Sequence, residues 1–575
     1  MLIKIVKIKY FKKFLDETFD LTDSIILAGP NNSGKTTLIQ ALVAWNLSFK
    51  KWLSERGPES GSKARKRTGV AITRKDFTAF PLREMNLLWY NRSTALIKEE
   101  LKEGQKLGTP RTLEIEVAGK NATKDWRLKF EYTYGYPDLI HVRPSSETPI
   151  EAVLEIVKKM QVVHVPPFSG IGAEETRYDE AYQNLLIGQG KPGDILRNLL
   201  LEIHDNGNNW SFLVKDIEEI FGYKLLPPVY EGRPFINCEY QPGLMNRPGE
   251  RASAKLDISS AGSGFLQVLM LLGFFYARPA SILLMDEPDA HLHIILQKQV
   301  YDRLREIARR RNCQLLIATH SEVLIDSTSP KQILSFFSHP RKLNIDTDRD
   351  QVREALKRLT SSDILLAEDF PGILYVESES DLNLLREWAR VLRHLAYNFL
   401  EKPYWHNNQG RDPRDARSHF FALKAIKPSL KGILILDGDN RSLPDREVST
   451  EELHILRWTR YEAENYLVHP EALARFVKSA SLDLFSESTA KQGLEFLKEQ
   501  LPPTVYNNPL DEHDYLFATA ASKKILPGFF KAAEVRLPKN EYYQIASQML
   551  KNEIPKEVIE KLNSIAKNFE ILNTS

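Results

Sequence analysis

The sequence predicts an α/β protein of more than one domain, and three observations predict it. The stretch GPNNSGKTTL, Gly29 to Leu38, lies between a short apolar strand-like run and a helix-like run. Two further apolar runs, SILLMDE and CQLLIATH, deliver Asp286, Glu287 and His320 at their ends. A third pair, GILYVE and KGILILDGD, ends in Glu377 and in Asp437 and Asp439. Short apolar runs bounded by polar residues read as buried strands of a parallel sheet, and such sheets carry ligands at the carboxyl ends of their strands.

The first element to justify is the glycine-rich stretch. Gly29, four residues, Gly34, Lys35 and Thr36 complete the phosphate-loop pattern, and DSIILAGP before it and TLIQALVAW after it supply the strand-to-helix context. Glycines let backbone N–H groups curl around phosphates at a helix N-terminus, where the aligned peptide dipoles favour anions. Gly29, Asn31, Asn32, Ser33, Gly34, Lys35, Thr36 and Thr37 are therefore expected to hold ATP, with Lys35 on the β/γ-phosphates and the Thr36 hydroxyl on Mg²⁺.

Composition sets the outer bounds. The 575 residues are 42% hydrophobic and 27% charged, enough for two to four domains with their own cores. A net charge of +2 neither requires nor forbids nucleic acid, so a polyanion site has to come from local clustering. Cys238 and Cys313 are the two cysteines, in no metal-ligand spacing, which excludes a cysteine zinc site and a disulfide scaffold and fits a reducing compartment. The apolar stretch from Phe265 to Ala277 is too short to span a bilayer, and MLIKIVKIKYF alternates like a half-buried strand, so the expectation is a cytoplasmic protein with no membrane partner.

Along the chain, residues 1–345 are expected to form one domain. It carries a basic excursion at about 50–110, whose Lys50 to Gly69 segment lacks periodicity, and a helical, dimerising insertion at about 175–250. Strands are expected at Arg111 to Ala118 and Trp126 to Tyr134, with helices near Pro149 to Met160, Gly193 to Ile203 and Trp210 to Phe221. The cluster Ser259 to Gly264 opens a long apolar helix, which suits a helix cap. Asp286 after a buried strand is placed to hold Mg²⁺ and Glu287 to polarise a water, while His320, which could hydrogen-bond the phosphate or that water, resembles a switch histidine that senses the γ-phosphate.

Phosphate loop, Ser/Gly cluster, Asp-Glu-Pro and Thr-His-Ser follow one another in the order of ATP-binding-cassette ATPases, so residues 1 to about 337 resemble an ABC-type head of the DNA-repair and chromosome-maintenance branch. The resemblance implies a homodimer in which the Ser260, Gly262 and Ser263 region meets the ATP of the opposite subunit, with Ser260 and Ser263 both open as the contact serine. A glutamine near Gln161 helps hold Mg²⁺ in some of these ATPases, although nothing local supports that role here.

Residues 346–370 turn charged and irregular and are expected to be a linker. Residues 371–470 then carry strand-end carboxylates: Glu377, a helix starting near Asp381, and Asp437-Gly-Asp439. Converging carboxylates make a hard oxygen site for Mg²⁺ or Mn²⁺, which orients a water and cuts phosphodiesters. Glu462 and Glu464 share a face if RYEAENYLV is extended and diverge if it is helical. Asp381 is open as ligand or helix N-cap, and Lys424 and Arg441 as phosphate neutralisers. This set resembles the TOPRIM fold of topoisomerases, primases and certain nucleases.

An ABC-type head followed by TOPRIM resembles the OLD (overcoming lysogenization defect) family of ATP-dependent endonucleases, with relatives in the Gabija and retron-associated anti-phage systems. The resemblance implies ATPase roles for Gly29 to Thr37, Asp286, Glu287 and His320, and a nuclease metal site of Glu377, Asp381, Asp437, Asp439 and Glu464. Ser378 stands where the family often has glycine. EAENYL is also similar to the TOPRIM effector of the PARIS system, where the target is transfer RNA. The expectation is a metal-dependent nuclease gated by ATP, acting on DNA in defence; the alternative is an ATPase sensor or scaffold of a defence complex, working with a partner protein or on tRNA. Residues 471–575 alternate helix-like runs with Pro and read as a helical cap or partner-binding region.

Overall fold

A computed structural model describes residues 2–21, 23–57, 69–101, 106, 108–121, 124–146, 150–243, 254–337, 339–408, 412–439, 452–480 and 486–571. The chain divides into two compact units, Met1–Leu356 and Lys357–Ser575, each of mixed α/β build.

Unit 1 is built on two sheets with the phosphate-loop helix, Lys35–Arg56, between them. One sheet is antiparallel and six-stranded, in the order Phe14–Asp20, Leu2–Phe11, Leu113–Asn121, Lys124–Tyr136, Leu139–Pro144, Val70–Thr73. Its strands alternate buried and exposed residues, as expected where one face meets a core and the other water. The other sheet runs Arg341–Lys342, Ile333–Ser335, Ser24–Ala28, Gln314–Thr319, Ile282–Asp286, Val162–Val165, and all but its first strand are parallel. Here Ile282–Asp286 and Gln314–Thr319 are buried at every residue, because a parallel sheet is covered on both faces. Helix Lys35–Arg56 is apolar on more than one side for the same reason: Leu38, Trp45, Phe49 and Trp52 are buried, and the Trp45 indole donates to Leu128 O at 3.0 Å.

The helix continues through Lys50 to Arg56, where the sequence suggested an irregular basic segment; Trp52 and Phe49 extend its buried stripe past the last clear repeat. Residues 58–68 of that segment lie outside the described residues. The expected insertion at 175–250 contains helices Glu180–Gly188, Leu196–Asp205 and Asn208–Phe221, together with strands Tyr223–Leu225 and Glu239–Pro242, which form a small sheet with Leu256–Asp257. Residues 346–370 are not an irregular linker. They fold as helices Asp346–Arg358 and Ser361–Asp369. The first is charged nearly throughout and buries a narrow stripe of Val352 and Ala355, while Thr360 and Asp363 form a reciprocal capping box on the second.

Unit 2 holds a four-stranded, wholly parallel sheet in the order Trp405–Asn407, Gly372–Val376, Lys431–Leu436, Leu453–Arg457. The first strand in sequence sits second in space, so the chain crosses one way to Trp405–Asn407 and the other way to Lys431–Leu436. The crevice outside the carboxyl ends of Gly372–Val376 and Lys431–Leu436 is therefore the topological switch point, where open α/β sheets bind ligands. Helices from Pro470 onward share one core with this sheet: Leu374, Trp388, Ile433, Leu473, Phe529, Ile545 and Leu562 belong to the same buried cluster. No helix among the described residues is long and apolar enough to cross a membrane.

Candidate functional site

In unit 1, three neighbouring strands of the parallel sheet end side by side. Ser24–Ala28 leads into the phosphate loop, Gln314–Thr319 into His320, and Ile282–Asp286 into Glu287. Gly34 closes the loop at φ +114°, and a Cβ there would press on the Phe14 ring at 3.1 Å, so both conformation and space require glycine. Lys35 is 4% exposed and donates to Gly29 O at 2.7 Å and Pro30 O at 2.8 Å. Burial lowers its pKa, while Glu287, Asp286 and Asp289 pull the other way. Thr36 Oγ1 donates to Asp286 Oδ1 at 3.0 Å, and burial pushes Asp286 up to about 6. The Ser33 hydroxyl is buried in the loop without a hydrogen-bond partner. An orphaned hydroxyl inside a phosphate loop, and a hydroxyl meeting a carboxylate, fit a nucleotide and its Mg²⁺: Lys35, Ser33 and the loop amides would hold the one, Thr36 and Asp286 the other.

Glu287 takes a backbone φ of +50°, 3.7 Å from Lys35 Nζ, and its Oε2 lies 2.6 Å from His320 Nδ1. That hydrogen bond raises the His320 pKa. Asp289, which sequence reasoning passed over, is 5% exposed, and Thr319 Oγ1 donates to it at 2.5 Å. Ser321 N donates in turn to Thr319 Oγ1 at 2.9 Å, so Asp289 fixes the turn that presents His320. Among the described residues, Glu287, Asp289 and His320 have ligand atoms all within 4.8 Å of one another. The signal for Asp289 was its place two residues after Glu287, on a segment that had to turn back toward the next strand.

Gln161 stands at the opposite end of the sheet. It precedes strand Val162–Val165, and Ser281 N donates to its carbonyl at 2.9 Å, whereas Asp286 is at the closing end of the neighbouring strand. It is thus not beside Asp286. In the Ser/Gly cluster, Ser260 turns its hydroxyl back onto Asp257 O at 2.7 Å, while Gly262 and Ser263 are exposed where helix Ser263–Ala277 begins. Asp257 anchors this loop. It accepts from Ser259 N at 2.8 Å and takes a two-pronged grip from Arg197, 2% exposed, at 3.0 Å on both oxygens. Nothing in the local sequence pointed to Arg197, 60 residues away. Arg197→Ala is expected to cost roughly 2–4 kcal/mol by leaving Asp257 without its partner. It should slow ATP turnover further through the loosened loop; thermal denaturation alongside a phosphate-release assay checks both.

In unit 2, Glu377 follows strand Gly372–Val376, and its Oε1 accepts from Asp437 N at 3.0 Å, which ties the ends of the two central strands together. Asp437 Oδ1 accepts from Ala463 N at 3.1 Å. Between Asp437 and Asp439, Gly438 passes under the chain, where a Cβ would lie 2.2 Å from Arg460 O. Burial, then Asp381, Glu377 and Glu464, push Asp437 up to about 9; burial, then Glu464, push Asp381 up to about 7. Burial and Glu462 raise Glu464. Glu377, Asp381, Asp437 and Glu464 thus feel one another's charge, although among the described residues no three of them bring ligand atoms within 4.8 Å of one another. Asp439 sits at its rim with φ +51°, its N–H donating to Tyr461 O at 2.9 Å.

Asp381 is not the N-cap. Ser378 is, with Asp381 three residues on completing the capping box at 2.9 Å to Ser378 N and 3.0 Å to Ser378 Oγ. Ser378 is extended, φ −154°, so the position makes no demand for glycine. RYEAENYLV is neither an extended strand nor an α-helix over the two glutamates: Glu462 is extended and Ala463–Leu467 forms a 3₁₀ turn. The carboxylates part, Glu462 accepting from Ser522 N at 2.5 Å and Glu464 pairing with Lys539 at 3.1 Å. Lys539 comes from the C-terminal helical region and had no signal in the sequence. Lys424 pairs with Glu452 at 2.6 Å, near the opening end of strand Lys431–Leu436 and away from Asp437. Arg441 lies outside the described residues.

Comparison with known proteins adds to unit 1. Residues 6–136 match the family described as "AAA domain", and residues 249–326 the one described as "AAA domain, putative AbiEii toxin, Type IV TA system". The first contains the phosphate loop, and the second the Ser/Gly cluster, Asp286, Glu287 and His320. No curated protein gives a significant match. Among solved structures the chain is similar to the SMC head domain from Thermotoga maritima, at 12% identity over 60% of this chain and 100% of that one, with TM-score 0.32. It is also similar to an SmcHead bound to the C-winged helix domain of ScpA, at 16% identity over 58% of this chain and 94% of that one, TM-score 0.33. A third is a Smc head domain with an extended coiled coil, bound to the C-terminal domain of ScpA, derived from Pyrococcus furiosus, at 14% identity over 59% of this chain and 94% of that one, TM-score 0.33. Unit 1 carries an AAA-type ATPase domain, a class that uses nucleotide and typically Mg²⁺.

Proposed function

We propose that the chain is an ATP-gated, metal-dependent nuclease, its two chemistries divided between the two units. The observation that carries the nuclease half is the convergence of Glu377, Asp381, Asp437 and Glu464 at the switch point of a parallel sheet, where burial and mutual repulsion hold Asp381 and Asp437 well above the ordinary carboxylate range. Repelling carboxylates brought together without enough cations favour a divalent ion, and oxygen donors select Mg²⁺ or Mn²⁺. Such an ion lowers the pKa of a bound water and neutralises a departing phosphate oxygen. Glu377, Asp437 and Glu464 would hold it, Asp381 would tune their charge, and Lys539 is placed to counter a phosphate. In unit 1, Lys35 and the loop bind ATP, Glu287 draws a proton from water, and His320 orients Glu287.

DNA in defence against foreign genomes is the substrate that the order of motifs favours, and a homodimer the working assembly, with ATP closing one head on the other. A second reading has its own observation. The Lys539 ammonium already pairs with Glu464, so the carboxylates are partly balanced without an ion, as suits an ATPase sensor whose unit 2 binds a partner.

The deciding experiment incubates the protein with supercoiled plasmid, linear DNA and tRNA in Mg²⁺ or Mn²⁺, with and without ATP. Cleavage is expected on DNA, reduced more than about 100-fold in Glu377→Ala, since losing a metal ligand removes the group that activates water. No metal-dependent product on any substrate would leave the sensor reading standing.

A further inference from the structure

The strand ends of unit 1 bring together a mixed set of donors beside the phosphate loop. Among the described residues, a ring nitrogen of His320 and one carboxylate oxygen each from Glu287 and Asp289 all lie within 4.8 Å of one another. The contact of Glu287 with His320, at 2.6 Å, accounts for two members of the set. It does not account for Asp289. That side chain is 5% exposed, and Thr319 Oγ1 donates to its Oδ1 at 2.5 Å, which orients the carboxylate and still leaves it lone pairs to give. Metal-ligating carboxylates are held by such a second hydrogen bond. Glu287 is fixed as well: its N–H donates to Ala318 O at 2.9 Å, and its carbonyl accepts from Ala290 N at 3.2 Å, so its backbone is pinned at φ +50°.

This set differs in kind from Thr36 and Asp286. Those two offer oxygen alone, which suits the hard Mg²⁺ ion. One imidazole with two carboxylates is a set that zinc takes, three protein ligands leaving a further position for water. His320 is 54% exposed and Glu287 20%, so that position opens to solvent. Lys35 stands 3.7 Å from Oε1 of Glu287, while His320 meets Oε2, so the ammonium and an ion would address different oxygens.

We propose that Glu287, Asp289 and His320 form an inhibitory site for Zn²⁺, separate from the Mg²⁺ that accompanies the nucleotide. Donors bound to one zinc ion stand about 3–4 Å apart, so the contact of Glu287 with His320 opens slightly, and the half-exposed ring has room to move. The ion enters where the Nδ1 proton lies, and that proton passes to the other ring nitrogen or to water. A Glu287 carboxylate bound to zinc no longer takes a proton from water, and His320 no longer orients it. Lys35, Ser33 and Thr36 are left as they were, so ATP binds while its turnover stops. The inhibition rests on the ATPase roles given above to Glu287 and His320; the metal site rests on the donors alone, and neither rests on the nuclease reading.

Equilibrium dialysis of the full chain against radiolabelled Zn²⁺, without nucleotide and in excess Mg²⁺, tests the site. Asp437→Asn serves as the parent, so that the carboxylates of unit 2 contribute as little as possible. One tightly held ion per chain is expected, its affinity falling at least tenfold in His320→Ala and in Asp289→Asn, the second of which keeps an acceptor for Thr319. Zinc is also expected to slow ATP hydrolysis at least tenfold, reversibly on chelation, with binding of a fluorescent ATP analogue unchanged. If Asp289→Asn fails to fold, His320→Ala decides, since it trims a half-exposed side chain. Absence of a tight ion, or an affinity that His320→Ala leaves unchanged, overturns the site. A tight, His320-dependent ion that leaves ATP turnover at its former rate overturns the inhibition. A parent that hydrolyses no ATP even without zinc refutes the ATPase roles instead, and the dialysis still passes or fails the metal site.

Discussion

Glu287→Gln is expected to slow ATP turnover by roughly 10²–10⁴-fold while leaving ATP affinity nearly unchanged, because a general base contributes about that much and the amide keeps the shape of the acid. The geometry favours a clean separation. Lys35, which would contact phosphate, is anchored by Gly29 O and Pro30 O rather than by Glu287 alone, so the loop survives the change. Lys35→Ala should do the reverse and lose nucleotide binding by roughly 100-fold, the worth of a charge-assisted contact of about 3 kcal/mol. His320 adds a signature in pH. Its pKa is raised chiefly by the hydrogen bond to Glu287, so in Glu287→Gln it returns toward the ordinary histidine value and the acid limb of the residual activity moves to lower pH. Phosphate release and binding of a fluorescent ATP analogue across pH 5–9 read both effects; turnover within fivefold of the parent would remove Glu287 from the role of base.

The stability of unit 2 is expected to fall as pH rises from about 4 to about 9, opposite to the usual behaviour of paired carboxylates. The sign follows from linkage. Asp381 at about 7 and Asp437 at about 9 keep protons in the folded state that the unfolded chain has released near its ordinary value of 3.8. The folded state therefore binds more protons throughout that window, and stability declines as pH rises through it. Mg²⁺ or Mn²⁺ should restore what alkali removes. Asp437→Asn should be more stable than the parent at pH 8, show little further gain from metal, and cut no DNA. Thermal denaturation between pH 5 and 9, with and without Mn²⁺, checks these together; a midpoint independent of pH, or an equal metal shift in Asp437→Asn, would refute the crowded-carboxylate account.

What the sequence made legible was local. An apolar run ending in a polar residue is a strand delivering that residue, and this rule located Asp286, Glu287, His320, Glu377 and Asp437 before any packing was known. What it left dark was long-range. Lys539 meets Glu464 across 75 positions and Arg197 meets Asp257 across 60, and neither carries a periodic or motif signal. The charged run at 346–358 reads as irregular because its helix buries a stripe only two residues rich, Val352 and Ala355. Gln161 carried no local signal for a metal role. It is one residue from a strand, but at the wrong end of it. The turn at Glu462 and Glu464 escaped both patterns on offer, since a 3₁₀ turn has neither the period of a strand nor that of an α-helix.

The carboxylate site of unit 2 is finished by residues that lie far along the chain from it. Ser522 N holds Glu462, Lys539 meets Glu464, and Glu557 accepts from Thr459 N at 2.9 Å and from the Tyr466 hydroxyl, bracing the turn that carries both glutamates. A ribosome makes Glu377 and Asp437 long before it makes these three. While the chain is growing, Glu377 and Asp437 stand without the backbone donor, the ammonium and the brace that position Glu462, Glu464 and their turn, so on the nuclease reading proposed above the nascent protein carries no assembled metal site.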